Sequence, residues 1–268
     1  MSEIQVVGAE AYLASLNPTH ESEECVTHIA QLHHPTHGPI NAFVKYYFED
    51  RGTQKGLVNE VCGHILAEQA GLHVPSGPLI VLLPRERIAG LHKAYAARIG
   101  RGEQKAVWAT QRVSNATMLP HDEQAAAELL RDWDRLPDLI AFDSWVVNAD
   151  RSARNLLRRR NGQFVLIDHG HLAGGTLWDA DLLSPGQAFH HPFLRQLWDG
   201  EVPSEIKQRI MAAADRHADC FVAAETEIKR WLDVLGVNSR DRIALLDFLR
   251  ERAEYSPAHM KKILGLLV

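Results

Sequence analysis

The stretch from Asn148 to Gly170 limits what this chain can fold into more than any other part of the sequence. It contains Asn161-Gly162 between two runs, Leu156–Arg160 and Gln163–Ile167, that are typical of β-strands. Asn-Gly between strands predicts a tight β-hairpin, because both residues tolerate positive φ angles. The polar residues at the two ends of this hairpin are therefore expected to lie close together.

A two-residue turn determines which residues of the hairpin face each other. It pairs Arg160 with Gln163, and the same register places Asn155 directly opposite Asp168. Opposed residues project from one face of the sheet, with Cβ atoms about 4.5–5.5 Å apart. Carboxylate and amide oxygens suit Mg²⁺, so we expect Asn155 and Asp168 to hold this ion.

Asp150 precedes this hairpin in the loop that leads into it. From there it approaches the same site and is predicted to be the catalytic base that accepts a proton from an acceptor hydroxyl. One such aspartate, together with an asparagine and an aspartate that hold the metal, is the layout that phosphoryl transfer requires. The hairpin by itself is a common structural motif, and the combination of the three residues points to the chemistry.

Lys45 is the candidate cation for the phosphates of a nucleotide. It lies in the apolar, aromatic run Ile40–Phe48, where a lysine is costly unless it is paired or faces solvent. A position on the solvated face of the strand is the structural alternative. Glu60, in the helix predicted over residues 55–70, has a suitable spacing for pairing with the lysine, and a Lys–Glu pair is used to present an ammonium group to phosphates.

The order of predicted elements divides the chain into a β-rich part and a helical part. Strands are expected over residues 26–32, 40–48, 79–83 and 107–113, and Gly71 is placed to end the helix at 55–70. Beyond these lie helices near 122–133 and 137–147, one long amphipathic helix over about 204–235, and shorter helices at 238–252 and 256–267. We expect a nucleotide-binding lobe over 1–113 and a catalytic lobe over 114–268.

Composition excludes several classes of protein. The net charge is -5 and the pI is about 6.3, which disfavours a general nucleic-acid binder. The sequence contains no apolar stretch of about 18 residues, so no membrane span is expected. The three cysteines are far apart in sequence, which favours a reducing, cytoplasmic compartment. The 15 histidines form no HExxH or zinc-finger pattern.

These motifs resemble those of a known group of kinases. Asp150-Arg151 with Asn155, followed by Ile167-Asp168-His169-Gly170, is similar to the HipA-like and type II phosphatidylinositol-kinase-like branch of the protein-kinase fold. Val44-Lys45, Asn59-Glu60 and Ala70-Gly71-Leu72-His73-Val74-Pro75 agree with HipA-like proteins in the same order. The resemblance covers roughly residues 26–175.

The resemblance implies an α+β, bilobal protein-kinase-like fold with a β-rich N-lobe and a helical C-lobe. It also implies the use of ATP and Mg²⁺. By position, Asp150 is the base, Asn155 and Asp168 are the metal ligands, and Lys45 with its partner Glu60 contacts the phosphates. In this family a residue at the position of Asp143 often supports the catalytic loop.

The sequence departs from the family in ways that leave the substrate open. No G-x-G-x-x-G loop precedes Lys45, so the segment that covers the phosphates is unidentified, with His33–Pro39 the best candidate. The chain is shorter than full-length HipA, which fits a minimal HipA-like kinase better than a toxin. The acceptor is expected to be a protein serine or threonine, with autophosphorylation possible. Alternatives are a lipid or metabolite acceptor, AMP transfer, and a nucleotide-binding pseudokinase that recruits a protein partner.

Overall fold

A computed structural model describes residues 3–16, 20–50, 55–199 and 201–266. The architecture is α+β, with a β-rich N-terminal sheet followed by a mostly helical part, as the sequence predicts. The chain separates into two units, one of residues 1–57 and 75–114, the other of residues 58–74 and 115–268. The assignment of 1–113 and 114–268 to a nucleotide-binding and a catalytic lobe stays a prediction. No helix of the described residues is long and apolar enough to span a membrane.

The first unit is built on one twisted sheet. Its strands and helices are β1 Gln5–Val7, β2 Tyr12–Ser15, β3 His20–Glu21, β4 Cys25–His34, β5 Gly38–Tyr47, the start of α1 Lys55–Gln69, β6 Leu79–Pro84, α2 Arg85–Leu91 and β7 Gln104–Gln111. The strand order is β1-β6-β7-β5-β4-β2, with β3 also beside β4. The β1 strand runs parallel to β6, and the neighbours along the rest of the sheet are antiparallel.

Strict alternation in β4 and β5 gives this sheet one buried face. Ile40, Ala42, Val44 and Tyr46 are buried on β5, and alternate residues of β4 join them in the same core. The intervening residues point to the opposite face. This alternation is why the sequence identifies both strands correctly, and it places Lys45 on the face away from the core.

The second unit is organised around a buried helix. Besides most of α1, it contains β8 Ala116–Met118, α3 Glu123–Arg131, α4 Leu136–Val146, β9 Leu156–Arg159, β10 Phe164–Leu166, α5 Pro192–Trp198, α6 Ser204–Ala214, α7 His217–Val234, α8 Ser239–Glu254 and α9 Ser256–Ile263. Nearly every residue of α4 is buried, and α6, α8 and α9 pack on it. The end of α4 therefore rests on a rigid core.

The single long helix predicted over residues 204–235 is wrong, because the chain forms two helices there. After α6, the amide of Arg216 bonds to the carbonyl of Ala213 at 3.1 Å, a tighter i→i+3 turn, and α7 begins at His217. The apolar spacing continues across this break. Periodicity alone therefore does not reveal it.

Buried neutral histidines make the stability of the fold sensitive to acid. Burial is the largest cause that lowers the pKa of His28 to about 4, of His64 to about 4 and of His217 to about 3. Below pH 6.5 the unfolded chain therefore binds protons that the folded chain does not. We expect the free energy of unfolding to fall by on the order of 1 kcal/mol per pH unit for each of them between pH 6.5 and about 4.

Urea unfolding at pH 7, 6 and 5 measures this loss. The His217→Gln variant should show a shallower pH dependence than the parent chain, because one titrating group has been removed. His121, which is exposed, provides the control, and His121→Gln should leave the dependence unchanged. Equal slopes for all three proteins would contradict the prediction.

Candidate active site

Lys45 lies on β5 in the first unit, on the face of the sheet opposite the core. Its neighbours across the sheet are Thr27 on β4 and Trp108 on β7. The Lys45 ammonium lies 5.5 Å from the centre of the Tyr47 ring, on the same side of the strand. Phe43, two residues earlier, is 40% exposed on this face. The lysine is therefore part of a partly apolar surface of the sheet.

The turn between β4 and β5 is at the other end of the strand from Lys45. Gly38 and Lys45 are separated along β5 by a distance of about 23 Å, at about 3.3 Å per residue. The segment His33–Pro39 therefore does not lie over the Lys45 ammonium. At the end of the sheet near Lys45, the chain enters β4 at Cys25, which pairs with Tyr47.

The hairpin of β9 and β10 exists, but its predicted register is wrong by one residue. Phe164 pairs with Arg158 and Leu166 with Leu156. The loop is the three-residue Arg160–Gly162, closed by hydrogen bonds from the Gly162 amide to the Arg159 carbonyl (3.0 Å) and from the Arg159 amide to the Gln163 carbonyl (2.8 Å). Gly162 takes the positive φ of +81° that a three-residue hairpin loop with a bulge requires.

This register places Ile167, not Asp168, opposite Asn155. The Ile167 amide donates to the Asn155 carbonyl at 3.0 Å. Asp168 follows one residue later and has a positive φ of +63°, so its backbone leaves the strand direction there. The Asn155 side chain is oriented by the Ser152 hydroxyl, which donates to its Oδ1 at 2.7 Å. Asp168 thus lies one residue past the position opposite Asn155, at the open end of the hairpin.

Arg151 connects the loop of Asp150 to both strands of this hairpin. Its side chain is buried and donates from Nη1 to the carbonyls of Asn155 (3.2 Å) and Ile167 (2.9 Å). The buried arginine therefore holds the backbone at Asn155 and directly before Asp168. The predicted base Asp150, next to it, is exposed.

The carboxylate of Asp143 holds Arg151 in place. Arg151 Nε donates to Asp143 Oδ2 at 2.8 Å and its Nη2 to Oδ1 at 3.3 Å. His191 Nε2 lies 3.1 Å from the same Oδ2, and Asn148 Nδ2 donates to Oδ1 at 3.2 Å. Asp143 is on α4, so this network anchors the loop to the most buried helix of the unit.

The charges of this network are matched inside the protein. Burial alone would raise the pKa of Asp143, but the Arg151 guanidinium and the hydrogen bond from His191 outweigh it and hold the pKa below its ordinary value. The ion pair therefore stabilises the fold above the pKa of an unfolded aspartate. That stability is lost as the pH falls through the lower pKa of the folded state.

Backbone strain is concentrated around this loop. Val147, Asp168 and Ala173 have φ angles of +52°, +63° and +60°, and they are three of the five non-glycine residues with positive φ in the described chain. For Val147 this conformation is rare, because its side chain is β-branched. The Gly174 amide donates to the Val147 carbonyl at 2.9 Å and ties the strained segments together. Such strain is typical of functional sites.

Glu60 lies on α1 in the second unit and contacts the residue that follows Asp168. Its Oε2 accepts a hydrogen bond from the His169 amide at 3.0 Å. The approach is close, because a Cβ atom added to Gly63 would lie 2.4 Å from the His169 Cβ. Burial, followed by the nearby charge of Arg151, holds the pKa of His169 well below its ordinary value, so this ring is neutral at pH 7.

Comparison with known protein families identifies this arrangement. The family described as HipA-like kinase matches residues 43–174. The chain belongs to the HipA-like kinase family over these residues. The matched segment of this HipA-like kinase contains Lys45, Glu60, Asp150, Asn155 and Asp168. A search of curated proteins gives no significant match.

Membership of the HipA-like kinases implies kinase activity and the use of ATP. The side chains of Asn155 and Asp168 fit Mg²⁺ by their chemistry, because both offer hard oxygen donors. In the part of the chain that is described, no group of three or more His, Cys, Asp or Glu side chains surrounds a shared position. Mg²⁺ that is bound by one or two protein side chains typically takes its other oxygens from phosphates and water.

Three residues of this HipA-like kinase, Asp143, His191 and Asn59, make buried contacts that the sequence signals to different degrees. Asp143 lies within the apolar helix sequence Leu136–Val146, where a carboxylate is costly unless it is paired, and this pattern is the signal that identifies it. His191 and Asn59 carry no comparable signal. Their partners lie 48 and more than 100 residues away in the sequence.

Proposed function

We propose that this HipA-like kinase transfers the terminal phosphoryl group of ATP, with Mg²⁺, to a serine or threonine hydroxyl of a protein. The observation that carries the proposal is a contact of Arg151, the residue next to Asp150. Its side chain donates hydrogen bonds to the backbone carbonyls of Asn155 and Ile167. One buried guanidinium thus links the residue next to the predicted base with Asn155 and with the residue before Asp168, which supports a shared site.

Each residue has a role in this proposal. Asp150 accepts the proton of the acceptor hydroxyl as the oxygen of that hydroxyl bonds to the γ-phosphorus and the bond to the β-phosphate oxygen breaks, which yields a phosphoester and ADP. Asn155 and Asp168 hold Mg²⁺, which when bound neutralises charge on the phosphates. Lys45 binds the phosphates, and Glu60 on α1 is its predicted partner in presenting the ammonium group.

Incubation of the purified chain with labelled ATP and Mg²⁺ tests this proposal. We expect Mg²⁺-dependent turnover of ATP and label on the chain or on an added protein acceptor. Mass spectrometry of the product distinguishes a phosphoryl group from AMP, and parallel reactions with lipid and small hydroxyl acceptors test the other acceptor classes.

The Asp168→Asn variant serves as the matched negative control, because it keeps the size of the side chain and removes its charge. We expect turnover to fall by about 10²-fold or more. The proposal fails if the folded wild-type protein shows neither turnover nor label transfer nor nucleotide binding. Binding without turnover would instead support a pseudokinase.

A further inference from the structure

The Asn59 side chain on α1 makes hydrogen bonds to one segment of chain, between Gly170 and Trp178. The side chain is fully buried. Its Nδ2 donates to the carbonyls of Gly170 (2.6 Å), Leu172 (3.0 Å) and Gly175 (2.9 Å), and its Oδ1 accepts from Trp178 Nε1 (2.8 Å). A side-chain amide offers two N–H groups, so at least one of them is shared between two of these three carbonyls.

The segment that Asn59 binds begins immediately after the predicted metal ligand Asp168. It includes Ala173, Gly174 and Gly175, which all have positive φ, so its carbonyls point away from any regular ladder. A buried carbonyl without a donor is costly, and the two N–H groups of one asparagine are shared among three carbonyls of this segment. An apolar side chain of similar size would fill the same space and would leave these carbonyls without that donor.

Two consecutive residues of α1 contact the two ends of this segment. Glu60, next to Asn59, accepts the His169 amide, and Asn59 accepts the indole N–H of Trp178. The chain between them therefore lies along α1, held at each end by a hydrogen bond to neighbouring residues of one helix. A shift of the segment away from α1 would move Asp168 with it, because Asp168 directly precedes His169.

We propose that Asn59 is a positioning residue that, through Trp178 and the three carbonyls, fixes residues 170–178 on α1 and so holds Asp168 in its metal-binding position. This inference rests on the proposed kinase function for its effect on Mg²⁺. The contact between Asn59 and the segment can be tested without activity.

The Trp178→Phe variant removes the indole N–H from this cluster and keeps most of the aromatic ring. Trp231→Phe is the matched control, because Trp231 Nε1 also donates over 2.8 Å to a side-chain oxygen, that of Glu227 on α7. Hydrogen exchange of the nucleotide-free proteins is measured at the amides of residues 169–177. We expect exchange there to be about 5-fold faster in Trp178→Phe, and unchanged in Trp231→Phe. Unchanged exchange in Trp178→Phe would overturn the inference.

A second readout separates positioning from a general loss of stability. The Mg²⁺ concentration for half-maximal ATP turnover should rise by about 5-fold in Trp178→Phe, while nucleotide binding in EDTA and the half-saturation for Mg²⁺ in Trp231→Phe stay as in the wild type. Faster exchange with an unchanged Mg²⁺ dependence would overturn the positioning role. An inactive wild-type protein would overturn the proposed function, and the exchange measurement would still decide whether the segment is held on α1.

Discussion

The Asp150→Asn variant is expected to lower kcat by about 10²- to 10⁴-fold, the range that a positioned general base contributes. Asparagine cannot accept the hydroxyl proton, although it preserves the size of the side chain. Asp150 is exposed, so the substitution removes no buried contact and the free energy of unfolding should change by less than about 0.5 kcal/mol. Steady-state turnover of ATP and urea unfolding of the same preparation measure the two effects.

The matched control for this variant is Asp134→Asn. Asp134 is also exposed and lies in the connection between α3 and α4. The Asp134→Asn variant should retain wild-type kcat. Both Asp134→Asn and Asp150→Asn should retain the wild-type KM for ATP, because neither aspartate is assigned to bind nucleotide. Full activity of Asp150→Asn would remove Asp150 from the mechanism. An equal loss in both variants would point to a general effect of surface charge.

The Arg151→Met variant is expected to destabilise the protein by about 3–5 kcal/mol, as is typical when one partner of a buried ion pair is removed. Both Arg151 and Asp143 are fully buried in their side chains, and the substitution leaves the Asp143 carboxylate without its main counter-charge. It also removes the donor to the Asn155 and Ile167 carbonyls. Urea unfolding at pH 7 measures the loss.

A second substitution shows whether the unpaired charge causes this loss. Asp143→Asn in the Arg151→Met background should recover more than about 1 kcal/mol, because it removes the buried carboxylate and keeps a polar group near His191. Arg240→Met is the surface control. Arg240 pairs with Asp181 where both side chains are about 70% exposed, so its loss should cost less than about 1 kcal/mol. If the double variant is no more stable than Arg151→Met, lost packing rather than charge is the cause.

The hairpin shows which structural features the local sequence predicts and which it does not. Asn161-Gly162 correctly predicts the hairpin, and both strands are found within one or two residues of their expected bounds. The register was predicted wrongly, because Asn-Gly also fits a three-residue loop in which only Gly162 has positive φ. The choice between these loops depends on the packing of the strands, which a local motif does not contain. As a result Asp168 lies one residue past the position opposite Asn155.

The helices of the second unit also combine features that the local sequence predicts with one that it does not. Their apolar spacing is local information, and α1, α3, α4 and α8 begin and end close to the predicted residues. The break between α6 and α7 carries no glycine or proline and lies within a continuous apolar pattern. Different partners explain it, because α6 packs on α4 whereas α7 packs on α8.

The sequence by itself determined the α+β architecture, the order of strands and helices, the family, and five candidate residues at named positions. It could do so because turn chemistry, alternation and helical spacing act between neighbouring residues. Only the tertiary structure revealed that Arg151 and His191 are the partners of Asp143, and which groups Asn59 contacts. These depend on hydrogen bonds between residues that are far apart in sequence, and their geometry exists only once the helices and the hairpin have packed together.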